Sequence, residues 1–373
     1  MKTKICIIGG GLAGLTAAID LAQKGHQVTV IEKDTYPKHK VCGEYISNEV
    51  LSYLNKINFP LSDLKPALIN HLKLTNHKAQ IIETNLPLGG FGLSRYTFDH
   101  ALAEHAIKNG ADLKIDSVQN IAFSHSADHF TINCKSGFSV ESKIVIGAYG
   151  KRSKLDKSIN RDFITKKSPW IAFKAHYDMP DFPDKNVELH HFKKGYCGLS
   201  KTETGAVNFC YLAHNDIFKN YKKIDDFNEQ ILAQNPYLAR FLQRAKPIFK
   251  KPLGIAQIAF TKKPLVENHI LMCGDTAGLI HPLCGNGMAM AIHSAKILAQ
   301  NIDRYFKNEL NRRELEKIYI NDWSAVFKTR MKAGRTLQHL IVNENWNKLA
   351  FYLVKNQPKI LKPVIQLTHG KAF

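Results

Sequence analysis

Hydrophobic and polar positions in the first 32 residues follow two periods in turn. Lys4-Ile5-Cys6-Ile7-Ile8 is an apolar run of strand length, and Leu15 to Lys24 has apolar residues at helical spacing. After the turn at Gly25-His26, Gln27-Val28-Thr29-Val30-Ile31 returns to strand character and ends on Glu32. Strand, helix, strand in this order predicts a βαβ unit with parallel strands. Between the first strand and the helix lies Gly9-Gly10-Gly11-Leu12-Ala13-Gly14. Gly9 permits a tight turn, Gly11 lets backbone approach a pyrophosphate, and Gly14 lets the helix pack close to the strand. The helix N-terminus at Leu12 and Ala13 then faces the phosphates, and Glu32 is placed to accept hydrogen bonds from a ribose. The motif is weak as a bare string, but strand, helix and acid stand where dinucleotide binding needs them.

The pattern continues in separated pieces. Phe98 to Lys108 reads as a helix, and Leu113 to Asp116 and Lys143 to Ile146 read as strands. His71 to Thr75, Gln80 to Thr84, Trp170 to Tyr177, Asn186 to His191 and Ala206 to Leu212 are alternating runs rich in β-branched and aromatic residues, which predict a mainly antiparallel sheet. Gly89-Gly90-Phe91-Gly92 is followed by Leu-Ser-Arg and reads as a loop, and Gly195-Tyr196-Cys197-Gly198 as a turn. The chain from Arg313 to Phe373 is helical and carries Trp323, Phe327, Trp346, Phe351 and Tyr352 among lysines. The expected fold is α/β. A Rossmann-like nucleotide domain from residues 1–60, 93–153 and 264–302 is interrupted by a sheet domain from 61–92 and 154–263, and helices follow from 303 to 373. With one dinucleotide fingerprint, a disulfide reductase with two such domains is not expected.

The choice of dinucleotide rests on a distant segment. Asn268 to Cys273 reads as a buried strand that delivers Gly274-Asp275, then Pro282-Leu283-Cys284-Gly285-Asn286-Gly287-Met288 and a helix from Ala289 to Ile302. This order sets a carboxylate beside a helix N-terminus. The carboxylate suits a ribityl hydroxyl, and the helix N–H groups suit the electron-rich pyrimidine end of a flavin. Together with the first fingerprint it points to FAD, bound non-covalently because neither His nor Cys stands in an evident flavinylation motif.

Composition narrows the picture further. The chain of 373 residues has a formal net charge of +20, but Lys and Arg are spread along it and no nucleic-acid module is visible, so nucleic acid is not expected as ligand. Cys6, Cys42, Cys134, Cys197, Cys210, Cys273 and Cys284 contain no CxxC and read as reduced thiols. His190-His191 and His281 lack the partner spacing of a metal site and read as ordinary strand and loop histidines. No stretch approaches the roughly 18 apolar residues of a membrane span. A cytoplasmic protein is expected, with peripheral contact to an anionic membrane open to the basic, aromatic tail.

The motifs in this order resemble the FAD-dependent aromatic hydroxylase superfamily and, within it, the geranylgeranyl reductase branch. The matches are Gly9 to Gly14 with Glu32; Lys40-Val41-Cys42-Gly43-Glu44; Arg95-Tyr96-Thr97-Phe98-Asp99 followed by Leu102; and Gly274-Asp275 with Pro282 to Met288. The resemblance implies that Lys33, Lys40, Cys42, Gly43 and Arg95 join the cofactor site, and that Cys42 lies near the flavin ring. It also exposes a departure. Where relatives carry Gly-Ala-Asp-Gly, this chain has Gly147-Ala148-Tyr149-Gly150, and the missing aspartate supports both FAD and reduced nicotinamide binding in relatives; FAD binding is expected to survive on the remaining contacts. NAD(P)H is thus expected as a transient reductant at most, and the electron donor is open.

Three functional readings follow. In the first, reduced FAD reduces a carbon–carbon double bond of a lipophilic, isoprenoid-like or polyketide-like molecule, with Cys42 and Cys284 as candidate catalytic residues. In the second, the reduced cofactor activates O₂ to hydroxylate an aromatic or polyketide-like ring. In the third, the fold keeps FAD as a structural group in a non-catalytic binding protein. A hydrophobic small molecule is the expected partner, because no arginine pair is evident to clamp a small carboxylate.

Overall fold

A computed structural model describes the backbone of residues 1–78 and 80–373, and the side chains of all these except 339–342, 344–347 and 358. The expected βαβ unit is formed by β1 (Lys2–Ile8), α1 (Leu12–Gln23) and β2 (Val28–Glu32). Strands β6 (Asp112–Ile115), β7 (Ser139–Gly147) and β12 (Ile270–Met272) extend it into a parallel sheet of order β12-β7-β1-β2-β6. A hairpin of Val118–Ser124 and His129–Cys134 is attached antiparallel to β7. The helix starts at Leu12, three residues before the apolar periodicity suggests, because Gly11 caps it and Gly14 is one of its residues. Helices α1, α2 (Arg95–Lys108) and α3 (Gly287–Phe306) help build the largest apolar core around the sheet.

The second sheet contains β3 (Tyr45–Ser47), β4 (Ala67–Thr75), β5 (Ile81–Gly92), β8 (Trp170–Asp178), β9 (Asn186–Phe192), β10 (Gly195–Lys201) and β11 (Val207–His214), in the order β8-β11-β10-β9-β4-β5-β3. Its pairs are antiparallel except β9 with β4. Two sequence expectations fail here. Gly89 to Gly92 form the end of β5, and Gly195 to Gly198 the start of β10. Glycine serves close approach at both: a Cβ on Gly92 would stand 1.9 Å from the Lys201 carbonyl oxygen, and one on Gly195 would stand 2.5 Å from that of Leu212. Along β10 the side chains alternate faces. Tyr196 joins an apolar cluster with Trp170, Leu212, Phe260 and Leu279, whereas Cys197 joins the cluster of Phe209, Tyr211 and Phe241 on the other face.

The C-terminal helices α4 (Arg312–Val342), α5 (Glu344–Asn356) and α6 (Leu361–Thr368) fold back over the molecule. Trp323, Phe327 and Phe351 are buried, so most of the tail's aromatic residues serve packing; Tyr352 is 63% exposed, and the Trp346 side chain lies outside the described residues. The last residue returns to the nucleotide domain, where the Phe373 ring stacks on His293 at 3.7 Å. Among the described residues no helix is long and apolar enough to cross a membrane.

Candidate flavin site

Strand register brings the motifs together. Ile8 is level with Ile31 and Gly147, and Gly147 with Met272, so Gly9, Glu32, Tyr149 and Gly274-Asp275 all emerge at one edge of the parallel sheet. This is the carboxyl edge, where open α/β sheets bind their ligands. Gly9 has φ +108°, and a Cβ there would meet the Ala148 carbonyl oxygen at 2.4 Å; one on Gly14 would meet the Gly9 carbonyl oxygen at 2.0 Å. A Cβ on Gly11 would meet only the Arg95 guanidinium, 3.4 Å away, and the Lys40 ammonium, 3.9 Å away. Gly11 is the N-cap of α1 and makes no side-chain cap. Bare helix N–H groups therefore face two cations, an arrangement that fits a pyrophosphate.

Both cations are held from behind by Asp99. Arg95 Nε and Nη2 donate to its two carboxylate oxygens at 2.7 Å each, and Lys40 Nζ lies 3.0 Å from it. Burial pushes the Asp99 carboxyl up, but Arg95 and Lys40 outweigh it and hold the group below its usual range. The Arg95–Asp99 pair is interior, with side chains 14% and 1% exposed. Glu32, buried, accepts from the Gly10 N–H at 2.6 Å and from the Asp34 N–H at 3.1 Å. It lines a small cleft with Tyr36, Lys38, Lys40 and Asp99, which suits the adenosine end of the cofactor. Lys33 is exposed beyond Glu32.

The other end lies at α3. Asn286 is its N-cap but makes no side-chain cap. Its amide donates instead to buried Glu49 Oε1 at 2.6 Å, and its carbonyl oxygen lies 3.4 Å from Arg330 Nη1. The Asn286 side chain is thus committed within the protein. Uncapped, the N–H groups of Gly287 and Met288 stay open to the flavin's pyrimidine edge. Asp275 lines the adjacent cleft with Gly274 and Gly287, and Lys263 fixes this turn by donating to the Asp275 and Lys151 backbone oxygens at 2.8 and 2.9 Å. Pro282 opens a 3-10 turn, and Gly285 closes it with φ +61°.

The Cys42 loop is tied down from three directions. Asn208 Nδ2 donates to the Cys42 carbonyl at 3.2 Å, and Lys151 Nζ to the Val41 carbonyl at 3.1 Å. Glu44, fully buried, accepts from the Arg95 N–H at 2.7 Å and from Lys174, and lies 2.7 Å from His176 Nε2. Burial opposes the Glu44 charge, yet His176 and Lys174 hold its carboxyl below the usual range. Gly43 is exposed between these anchors. His39, Glu44 and His176 form a cluster of metal-ligand types, but the Lys174 ammonium already occupies Glu44, where a metal ion would have to displace it. Nothing adjacent in sequence to Glu44 announced this network.

Val41 and Leu283, the neighbours of Cys42 and Cys284, pack against one apolar cluster that contains Tyr196. Burial pushes the Tyr196 phenol well above its usual range, and Cys210, Cys284 and Cys42 lie close enough to add to the effect. Burial also pushes the Cys284 thiol up to about 12, so it stays protonated at neutral pH. Tyr149 stands at the sheet edge with its hydroxyl 3.6 Å from Met272 Sδ.

Two uncapped helix N-termini, a cation pair and acidic groups at both ends fit FAD. The family profile described as FAD binding domain matches residues 2–317, and the chain belongs to that family. It is an FAD-dependent oxidoreductase of the flavoprotein reductase and monooxygenase superfamily. Among its relatives, the digeranylgeranylglycerophospholipid reductase 1 of Methanosphaera stadtmanae is 23% identical, with 94% of this chain and 88% of that protein covered. The chloroplastic geranylgeranyl diphosphate reductase of Arabidopsis thaliana is 25% identical, with 97% and 79% covered. In fold, the chain is similar to the flavin-dependent brominase Bmp2, with a TM-score of 0.81 at 18% identity over 100% of this chain and 94% of that one.

Proposed function

We propose that the protein reduces a carbon–carbon double bond of a large, mostly apolar molecule of isoprenoid type. The observation that carries this reading is the setting of the Cys42 loop. Val41 packs against the cluster of Trp170, Tyr196, Leu212 and Phe260, so the loop that carries Cys42 borders an apolar, aromatic face. Relatives named as geranylgeranyl reductases support the substrate class.

When bound, reduced FAD supplies the hydride. Arg95, Lys40 and the α1 N-terminus would hold its pyrophosphate, Glu32 its ribose, and Asp275 and the α3 N-terminus its ribityl chain and pyrimidine edge. The aromatic face excludes water and orients the chain of the substrate. Glu44 holds the loop so that Cys42 lies beside the reacting carbon, where its S–H is the proton source we assign.

Oxygen uptake separates this reading from hydroxylation. With an artificial reductant and a polyprenyl substrate, product should form with no O₂ consumed in proportion to it. One O₂ consumed per product would replace the reading with a monooxygenase.

A further inference from the structure

His281 has the most unusual environment of the groups not used above. It precedes Pro282 in the loop between Asp275 and the α3 N-terminus, and only 2% of it is exposed. Three aromatic rings surround it, with centroids at 5.8 Å for Trp170, 6.0 Å for Tyr196 and 4.8 Å for Phe260. Nδ1 faces the Leu283 N–H at 3.4 Å as an acceptor, which places the proton of the neutral ring on Nε2. Nε2 is buried and has no partner among the described residues. Such a donor in an apolar enclosure costs stability, and a site of this kind calls for an explanation. Burial also pulls the imidazole down to about 3, so at neutral pH it is uncharged.

We infer that His281 is the polar anchor of the substrate site: its Nε2–H donates a hydrogen bond to the hydroxyl or carbonyl oxygen of an otherwise apolar substrate. The inference rests on the apolar-substrate reading above and specifies how one end of such a molecule is recognised. Trp170, Tyr196 and Phe260 belong to one apolar cluster against which Val41, the neighbour of Cys42, also packs, so the anchor and the Cys42 loop border the same aromatic cluster. A neutral donor selects an uncharged oxygen. An ionic headgroup would have to lie outside, because the enclosure lacks the pairing partner that a buried charge requires.

The test titrates oxidised holoenzyme with two probes in detergent, followed by the change in flavin absorbance. One probe is geranylgeraniol, and the other is the hydrocarbon with the same carbon number and double bonds but no hydroxyl. The wild type should bind the alcohol about five- to tenfold more tightly, the weight of one uncharged hydrogen bond. His281→Phe should erase that preference while binding the hydrocarbon as well as before, and His281→Gln, which keeps a donor, should restore much of it. His281→Met, which removes the donor with a flexible side chain, replaces the phenylalanine variant if the latter does not hold FAD. A preference that survives removal of the donor, or a wild type that binds both probes equally, overturns the role of His281 alone. A wild type whose flavin responds to neither probe overturns the isoprenoid reading and, with it, the anchor.

Discussion

Lys174 and Glu44 form an ion pair in which neither side chain has measurable exposure, joining the middle of β8 to the loop that carries Cys42. The Glu44 carboxylate also receives the first N–H of α2 at Arg95 and faces His176. One buried charge thus fastens the Cys42 loop, the cation that faces Gly11, and the sheet. Glu44→Gln should cost on the order of 3 kcal/mol, because it leaves the Lys174 ammonium buried without a counter-charge. Urea denaturation of the holoenzyme measures this. Adding Lys174→Met to Glu44→Gln should recover part of the loss; a Glu44→Gln protein as stable as wild type would show that the pair anchors nothing.

The cofactor should be FAD and should leave the protein on denaturation. Glu32→Ala and Asp275→Ala remove acceptors at opposite ends, each expected to weaken FAD binding by about 1 to 3 kcal/mol. Arg95→Ala should weaken it as well and should leave Asp99 with only Lys40 as a cation. Fluorescence of flavin released on dilution reports occupancy. Full retention in both acid variants would place the cofactor elsewhere.

The nucleotide half was legible because its chemistry is local. Gly9 to Gly14 and Gly274 to Met288 each combine a strand end, a turn and a helix start within a few residues, and the turn needs those residue types whatever lies around it. The rest depends on distant partners. Glu44 meets Lys174 across 130 positions of chain, and Asn286 meets Glu49 across 237, so no spacing in either neighbourhood reveals the bond. Gly92 misled for the same reason: the atom that forbids a side chain there belongs to Lys201, in another strand. Strand continuation through Gly89 to Gly92 is set by pairing with β3, at the contacts of Tyr45 with Gly92 and Ser47 with Gly90.

NADPH should reduce this flavin slowly. Tyr149 stands where the family resemblance implies a carboxylate, and burial, reinforced by Asp156, pushes its phenol up, so it supplies no negative charge. Lys151 donates to the Val41 carbonyl and Arg152 Nη2 to the Ile164 carbonyl, so both side chains are anchored within the fold. Anaerobic stopped-flow measurement should show slow bleaching that Tyr149→Asp accelerates about tenfold or more, a barrier change of about 1.4 kcal/mol. Fast, saturable bleaching of the wild type would refute this.

Acid should destabilise the fold beginning below about pH 6.5. Burial pulls His191 down to about 4 and His281 to about 3, whereas both take up protons near 6.5 in the unfolded chain. Their neutral forms therefore favour the folded state fully above about 6.5, and that contribution is lost as pH falls toward 4 and 3. The slope approaches about 1.4 kcal/mol per pH unit for each group. Denaturation midpoints should fall below pH 6.5, and His281→Phe should lessen the slope. A midpoint that rises between pH 6.5 and 5 would contradict the burial of neutral imidazoles.

We propose that electrons pass from reduced FAD to a carbon–carbon double bond beside Cys42. The most direct test is anaerobic mixing of chemically reduced holoenzyme with geranylgeraniol, recording the return of oxidised flavin absorbance and the mass of the product. The account predicts that the flavin reoxidises without O₂ as the product gains two hydrogens per reduced bond, and that Cys42→Ser retains FAD but reoxidises more slowly. Flavin that stays reduced until O₂ is admitted, with a product that then gains oxygen, would contradict it.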